Sequence, residues 1–392
     1  MPAVELPLHM RREVFDPVPE LGAVRAEERI GQVTTPLGNT AWLVTRHADI
    51  REVLGDHDRF SNVLSGPEPM GERRFRDGML LGYDPPEHTR LRKMLTAAFS
   101  LRRMRLLEPR VTDIVAEHLD ALAAAGPPTD LVAGFALPVP SLVICELLGV
   151  PYADREAFQG RTGRQLDLGL TLAERVAAGE ESHAYMAELV GRARSAPGED
   201  VLGMLVREHG TELTDDELTG IASLLLVAGH ETTSNMLGLG TLALLRHPDQ
   251  LAILRDARDP AVLHTAVEEL MRWLSVVPSG TPRRVVADTV VAGQPMRPDD
   301  LVVCALPAAN RDPELTDRPD ALDIGRTPGG HLGFGHGVHY CLGAPLARME
   351  MRIGFPALLR RFPDLRLAVP FSDVRFRSSH LVYGLHALPV SW

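Results

Sequence analysis

The chain has 392 residues, 45% of them hydrophobic and 24% charged, with a formal net charge of −11. That is enough apolar material for one large core or two ordinary ones. The acidic balance disfavours a phosphate-backbone partner, so nucleic-acid binding is set aside. The three cysteines, Cys145, Cys304 and Cys341, lie far apart and form no Cys-x-x-Cys pair, which excludes a disulfide framework and fits a reducing compartment. Residues Met1 to Pro7 show no apolar run behind a basic start. Neither a signal peptide nor a membrane anchor is therefore expected, and a cytoplasmic location is.

No repeat or low-complexity stretch occurs, and none of the Pro/Gly clusters (Gly126-Pro127-Pro128, Ala196-Pro197-Gly198, Thr327-Pro328-Gly329-Gly330) is long enough for an interdomain linker. One domain over residues 1–392 is expected. Ala41 to Thr45 reads as a strand. Helical patterns then dominate from about 86 to 275. Leu91, Leu95, Ala98 and Phe99 share a face of a helix starting near Pro86, on which His88 and Arg92 stand four apart. Val111, Ile114, Val115, His118, Leu119 and Leu122 recur at three and four. Arg90, Lys93, Arg102, Arg103, Arg105 and Arg110, with Arg348 and Arg352 later, form a basic group whose plain reading is a solvated face.

Thr214-Asp215-Asp216-Glu217 is a capping box. The helix it opens should run to about Arg246, before His247-Pro248, roughly 45 Å at about 1.5 Å per residue. Its flanks, Ile221 to Ala228 and Met236 to Leu245, are apolar enough for burial on most sides. Its middle, Gly229-His230-Glu231-Thr232-Thr233-Ser234-Asn235, is polar, and buried polar groups need partners or a function. Val267 to Arg272 reads as helix, where spacing lets either Glu268 or Glu269 meet Arg272. Val285–Val291 and Leu301–Leu306 read as strands, and more strands are expected beyond Leu365. The whole is mainly α with small β-sheets.

The most informative segment is Phe334-Gly335-His336-Gly337-Val338-His339-Tyr340-Cys341-Leu342-Gly343. Its glycines mark a tight turn or a close backbone approach. Leu342, Leu346, Met349 and Ile353 then share a helical face, with Pro345 in the opening turn. Cys341 thus lies at a helix N-terminus, where amide N–H groups and the dipole favour a thiolate. Such a thiolate could be inert packing, a zinc ligand with His331, His336 and His339, a nucleophile beside His339, or a haem ligand.

The pattern Phe-x-x-Gly-x-His-x-Cys-x-Gly, met by Phe334, Gly337, His339, Cys341 and Gly343, resembles the haem-binding loop of the cytochrome P450 family. A cysteine thiolate pushes electron density onto iron and favours O–O cleavage, so the chemistry agrees. Ala228-Gly229-His230-Glu231-Thr232 resembles the same family's oxygen-activation motif, and with it a long central helix over a haem (iron protoporphyrin IX), the thiolate loop on the opposite face. The resemblance implies Cys341 as the metal ligand, Thr232 holding dioxygen and its water, and Glu231 relaying protons. Gly229 would leave room for a small ligand. His88, Arg92, Arg283 and His339 match positions that bind haem propionates, and Glu269, Arg272 and Arg326 match a structural network beneath the haem.

The implied reaction inserts one atom of dioxygen into a small apolar molecule, by hydroxylation foremost and epoxidation next, in an actinomycete-type secondary metabolism. A macrolide, terpenoid or steroid-like substrate is expected near residues 61–81, 161–182 and Ser379-His380-Leu381, against Leu225, Ala228, Val276, Val277 and Leu381. Arg73, Arg74 and Arg76 could meet an anionic group. Electrons would come from NAD(P)H through ferredoxin reductase and an acidic ferredoxin docked on Arg102, Arg103, Arg105 and Arg348, on a monomer. Two other classes compete: a haem module that binds without oxygenating, and a haem-free cysteine transferase or hydrolase.

Overall fold

The computed structural model describes residues 6–36, 38–64 and 75–392. Eight helices frame the site: α1 (Glu87–Thr96), α2 (Leu101–Ala125), α3 (Pro138–Leu148), α4 (Arg155–Leu166), α5 (Leu172–Ser195), α6 (Asp215–Arg246), α7 (Pro260–Leu274) and α8 (Ala344–Arg361). Their ends follow local chemistry. The hydroxyl of Thr214 accepts from the Glu217 amide at 3.1 Å, and the Glu217 carboxylate accepts from the Thr214 amide at 2.9 Å, closing the expected box at the start of α6. The helix stops at Arg246 because Pro248 follows and cannot continue it. Gly126 ends α2 with φ +73°, a conformation that favours glycine.

α6 packs against α3, α5, α7 and α8 and is buried along most of its 32 residues. Close approach requires small residues. A Cβ on Gly240 would lie 2.4 Å from the Phe355 ring of α8. The apolar faces expected in α1 and α2 are buried, apart from His118, which is half-buried.

The main sheet has five strands in the order Ile30–Thr34, Thr40–Val44, Leu301–Cys304, Arg283–Val285, Phe60–Ser61. Only the pairing of Leu43 with Val303 and its neighbours is parallel. Side chains alternate across it, so Leu43, Leu301 and Val303 join one apolar cluster while Val44, Val302 and Cys304 join another. The helices share a third and larger core. Arg366–Leu367, Pro389–Ser391 and Thr129–Asp130 make a small sheet that ties the C-terminal end to the helices.

Two expected strands are corrected. Val285–Val291 is not one strand. Arg283–Val285 pairs within the main sheet, whereas Thr289–Val291 forms its own hairpin with Gln294–Met296. The turn between the latter two uses Ala292 and Gly293 at positive φ, a twist that suits a two-residue hairpin. The strand beginning at Leu301 stops at Cys304, and Pro307 opens a short helix over Leu306–Asn310.

G240A is expected to destabilise the protein by about 1–3 kcal/mol through overpacking against Phe355. The check is a lowered denaturant midpoint with an unchanged slope.

Candidate active site

The 334–343 loop is held in a fixed shape by its own backbone. The Gly335 amide donates to Leu332 O, Tyr340 to Gly337 O and Cys341 to Phe334 O, at 2.9–3.0 Å. Gly337 has φ +72°, and a Cβ there would meet Leu54 O at 2.3 Å, so this position requires glycine. α8 begins at Ala344, with Gly343 as its cap, which puts Cys341 just before the helix. Its sulfur accepts from the Gly343 and Ala344 amides. Burial pushes the thiol up, and those amides with the charges of Arg92 and Arg348 pull against it. Cys341 has accessible surface although protein surrounds it, as a side chain lining an internal space does.

α6 offers the matching feature. Most of this helix is buried, but Leu224, Ala228 and Thr232 keep accessible surface at a spacing of four, on one face. Ala228 is the exposed one. The Thr232 hydroxyl donates to Ala228 O at 2.7 Å, so its proton is committed and its lone pairs remain free to accept. Gly229 is corrected: a Cβ there would meet Ile144 of α3 at 2.8 Å, so its missing side chain makes room for a neighbouring helix and not for a ligand. Glu231 is buried, accepting from Asn235 Nδ2 at 3.3 Å and from Arg377 Nη1 at 3.0 Å. The sequence gives no sign of Arg377, which stands 146 residues away.

Four donor-rich side chains meet beside the loop. The rings of His88 on α1 and His339 lie 4.1 Å apart. Arg92 Nη2 donates to Tyr340 O at 2.6 Å, and Arg283 Nη1 to Thr281 O at 2.8 Å. Both nitrogens of His88 and Nε2 of His339 are buried without a partner. Burial, with the charge of Arg92, pushes His88 down to about 4. Burial, with His88, Arg283 and Arg92, pushes His339 down to about 3. Burial lowers both guanidinium groups as well. Among the described residues neither arginine has a carboxylate in ion-pair contact. Asp84, whose charge reaches His88 and Arg283, is bonded by Ser61 Oγ and the Asn62 amide. Buried polar nitrogens without partners and cations without an opposite charge are costly, so the cluster suits anionic groups that the described residues do not supply.

Two glutamates divide three arginines. Glu269 receives Arg272 Nε and Nη2 at 2.7 and 2.8 Å, Arg326 Nε at 3.1 Å and the Asp323 amide at 3.0 Å. Glu268 takes a bidentate bond from Arg348 at 2.6 and 2.7 Å and approaches His331 Nε2 at 3.2 Å. Arg348 also donates to Tyr340 Oη at 3.1 Å and lies 4.4 Å over the Phe334 ring. It therefore braces the cysteine loop, and its expected place on a free basic face is corrected. Arg90, paired with Glu87 and Glu217, and Arg110, paired with Glu146 and Glu117, are likewise engaged.

Leu225 and Val276 are buried in the helical core and offer little surface, whereas Val277 and Leu381 keep some. Arg73 and Arg74 lie outside the described residues, and Arg76 pairs with Glu180. Among the described residues no group of three or more His, Cys, Asp or Glu could hold a metal ion, which leaves the zinc reading without ligands. No helix among them is long and apolar enough to cross a membrane.

Comparison with known proteins fits this geometry. The family model for cytochrome P450 matches residues 198–367. Cytochrome P450 FAS1 of Rhodococcoides fascians is 48% identical, over 99% of both chains. The chain belongs to the cytochrome P450 family. Among solved structures, P450 StaH from glycopeptide antibiotic A47934 biosynthesis superposes with a TM-score of 0.89 at 44% identity, covering 99% of this chain and 100% of that one. CYP105P1 in complex with filipin I gives 0.92 at 39% identity, covering 97% of each. The fold is that of the cytochrome P450 enzymes, which are monooxygenases, and membership implies haem iron and electrons from redox partners. The residues present fit haem. It carries carboxylates, the kind of anion that the partnerless histidine nitrogens and the charges of Arg92 and Arg283 would suit.

Burial alone would raise the Glu268 carboxyl, but Arg348 and His331 bring it down to about 2. Its folded value lies below the ordinary 4.5, so its contribution is full above 4.5 and is lost as pH falls toward 2. E268Q is expected to lower stability at neutral pH by on the order of 3 kcal/mol and to flatten the loss between those two values. Acid titration of unfolding midpoints for both proteins checks this.

Proposed function

We propose that this cytochrome P450 inserts one atom of dioxygen into a largely apolar secondary metabolite, by hydroxylation foremost and epoxidation next. The observation that carries the proposal is the conjunction of Cys341 under two amide N–H groups with a buried donor cluster that lacks its anions. Cys341 would ligate the iron. His88, Arg92, Arg283 and His339 would hold the propionates, with Phe334, Gly343 and Ala228 as the protein frame around the group. Bound haem supplies dioxygen activation driven by two electrons and two protons.

The protein's own groups then divide the work. Thr232, with its proton given to Ala228 O, accepts a hydrogen bond from a water on the accessible face of α6. Glu231, one residue away and buried, carries protons toward that water. Leu224, Val277 and Leu381 give the substrate an apolar surface. The relatives named with a glycopeptide antibiotic and with filipin I support a large natural product as substrate.

NAD(P)H would supply electrons through a reductase and an acidic ferredoxin, the enzyme acting as a monomeric, cytoplasmic single domain. Lys93, Arg102, Arg105 and Arg352 are exposed, and among the described residues none is in an ion pair, so they offer the docking charge. Arg103, which donates to Glu199 O, contributes less.

With surrogate ferredoxin and reductase under isotopically labelled dioxygen, one labelled atom should enter the product, and E231Q should lower its rate by about a hundredfold. Haem binding and NAD(P)H oxidation without any oxygenated product across a natural-product library would favour a binding module instead. The double charge reversal R102E/R105E should slow reduction by an acidic ferredoxin about tenfold or more at low ionic strength, with the difference fading in salt. Equal reduction rates at low salt would remove this face from the docking site.

A further inference from the structure

Arg377 joins two parts of the molecule that the reaction must coordinate. Its guanidinium bonds the Glu231 carboxylate at 3.0 Å and is largely buried. Its Nη2 lies 3.9 Å from where a Cβ on Gly163 of α4 would be, so the group sits between α4 and α6. The Arg377 amide donates to Gly384 O at 2.8 Å. Gly384 in turn is flush against Asn235, whose Oδ1 would lie 1.5 Å from an added Cβ. The hairpin that carries Arg377 is thus pressed onto the polar break of α6.

The other face of that hairpin is stitched to the end of α4. The Leu168 amide donates to Ser379 O at 2.8 Å, and the Leu381 amide to Leu166 O at 2.9 Å. Ser379 Oγ bonds Asp167 Oδ1 at 3.0 Å, and His380 Nδ1 lies 3.7 Å from the same oxygen. Asp167 feels the charge of Arg377 without touching it. One buried cation therefore lies in contact with one carboxylate and within electrostatic reach of a second. Leu381, which keeps accessible surface, is on the same turn.

A carboxylate held by a guanidinium at low dielectric cannot stay paired and also carry a proton. If Glu231 moves protons, its ion pair must open, and the opening needs another partner for Arg377. We propose that Arg377 is a positioning residue that locks Glu231 until substrate against Leu381 shifts the turn on α4 and hands the guanidinium to Asp167. Proton delivery then waits on substrate. The proposal rests on the monooxygenase reading above. In the wasteful reaction that the lock suppresses, dioxygen takes two electrons from the redox chain and two protons and leaves as hydrogen peroxide.

The test uses the holoenzyme with surrogate ferredoxin and reductase, without organic substrate, and reads peroxide formed over time. R377Q should raise peroxide formation several-fold, R377K should stay near wild type, and R377Q/E231Q should fall back to wild type or below. D167N, which removes the second partner's charge and keeps an amide oxygen for Ser379, should stay low. The proposal is overturned if R377Q matches wild type, if R377Q/E231Q matches R377Q, or if D167N rises as R377Q does.

A second measurement needs neither turnover nor haem. In hydrogen–deuterium exchange, E231Q should speed uptake several-fold at 377–381 and 166–168, and unchanged uptake also overturns the proposal. Should the protein lack a haem spectrum, the monooxygenase reading fails while this exchange experiment still judges the lock.

Discussion

A protein interior tolerates buried polar groups only when partners meet them, and His88 and His339 break that rule within the protein alone, beside Arg92 and Arg283 whose charges meet only backbone carbonyls. The rest of the structure is arranged around this deficit. α1 brings His88 and Arg92, the main sheet brings Arg283, and the glycine-bearing loop brings His339 two residues before Cys341. No single element would place them together. A ligand carrying two carboxylates and a metal that accepts a thiolate satisfies the donors and the sulfur at once, and haem is such a ligand.

The supports beneath the loop are ionic and nearly dry. Glu269 gathers Arg272, Arg326 and a backbone amide, while Glu268 fixes Arg348, which covers Phe334 and reaches Tyr340. Buried pairs of this kind add little net stability over apolar packing, but losing one partner is expensive. Their value lies in geometry. The Glu268–Arg348 pair holds Tyr340 and Phe334 on the approach to Cys341, while Glu269 ties Arg272 to the 319–326 segment. On the other side, the accessible stripe of α6 is equally constrained, because Gly229 and Gly240 let α3 and α8 pack close and leave Ala228 and Thr232 facing open space.

Much of this was legible in the sequence because the signals are local. The capping box and Pro248 bound α6 to the residue, and the glycines around Cys341 announced a constrained loop. The choice between Glu268 and Glu269 was not legible from spacing, since both stand on the face that Arg272 could reach. It is settled by Arg348, 80 residues away. Arg377 was invisible for the same reason: its meaning comes from a hairpin folding back onto α6. Gly229 misled because a missing side chain reads alike whether a ligand or a helix fills the gap. The strand beginning near 285 misled because Thr289–Val291 keeps strand character while turning into a different sheet.

The central claim is that this interior is built for a thiolate-ligated haem, and absorption spectroscopy of the purified, haem-supplemented protein tests it most directly. The reduced protein under carbon monoxide should show the strongly red-shifted Soret band of a thiolate-ligated haem, and C341H should move it to the shorter wavelength of an imidazole-ligated one. A wild-type protein that binds no haem, or one whose carbon monoxide spectrum is unaltered by C341H, would contradict the account.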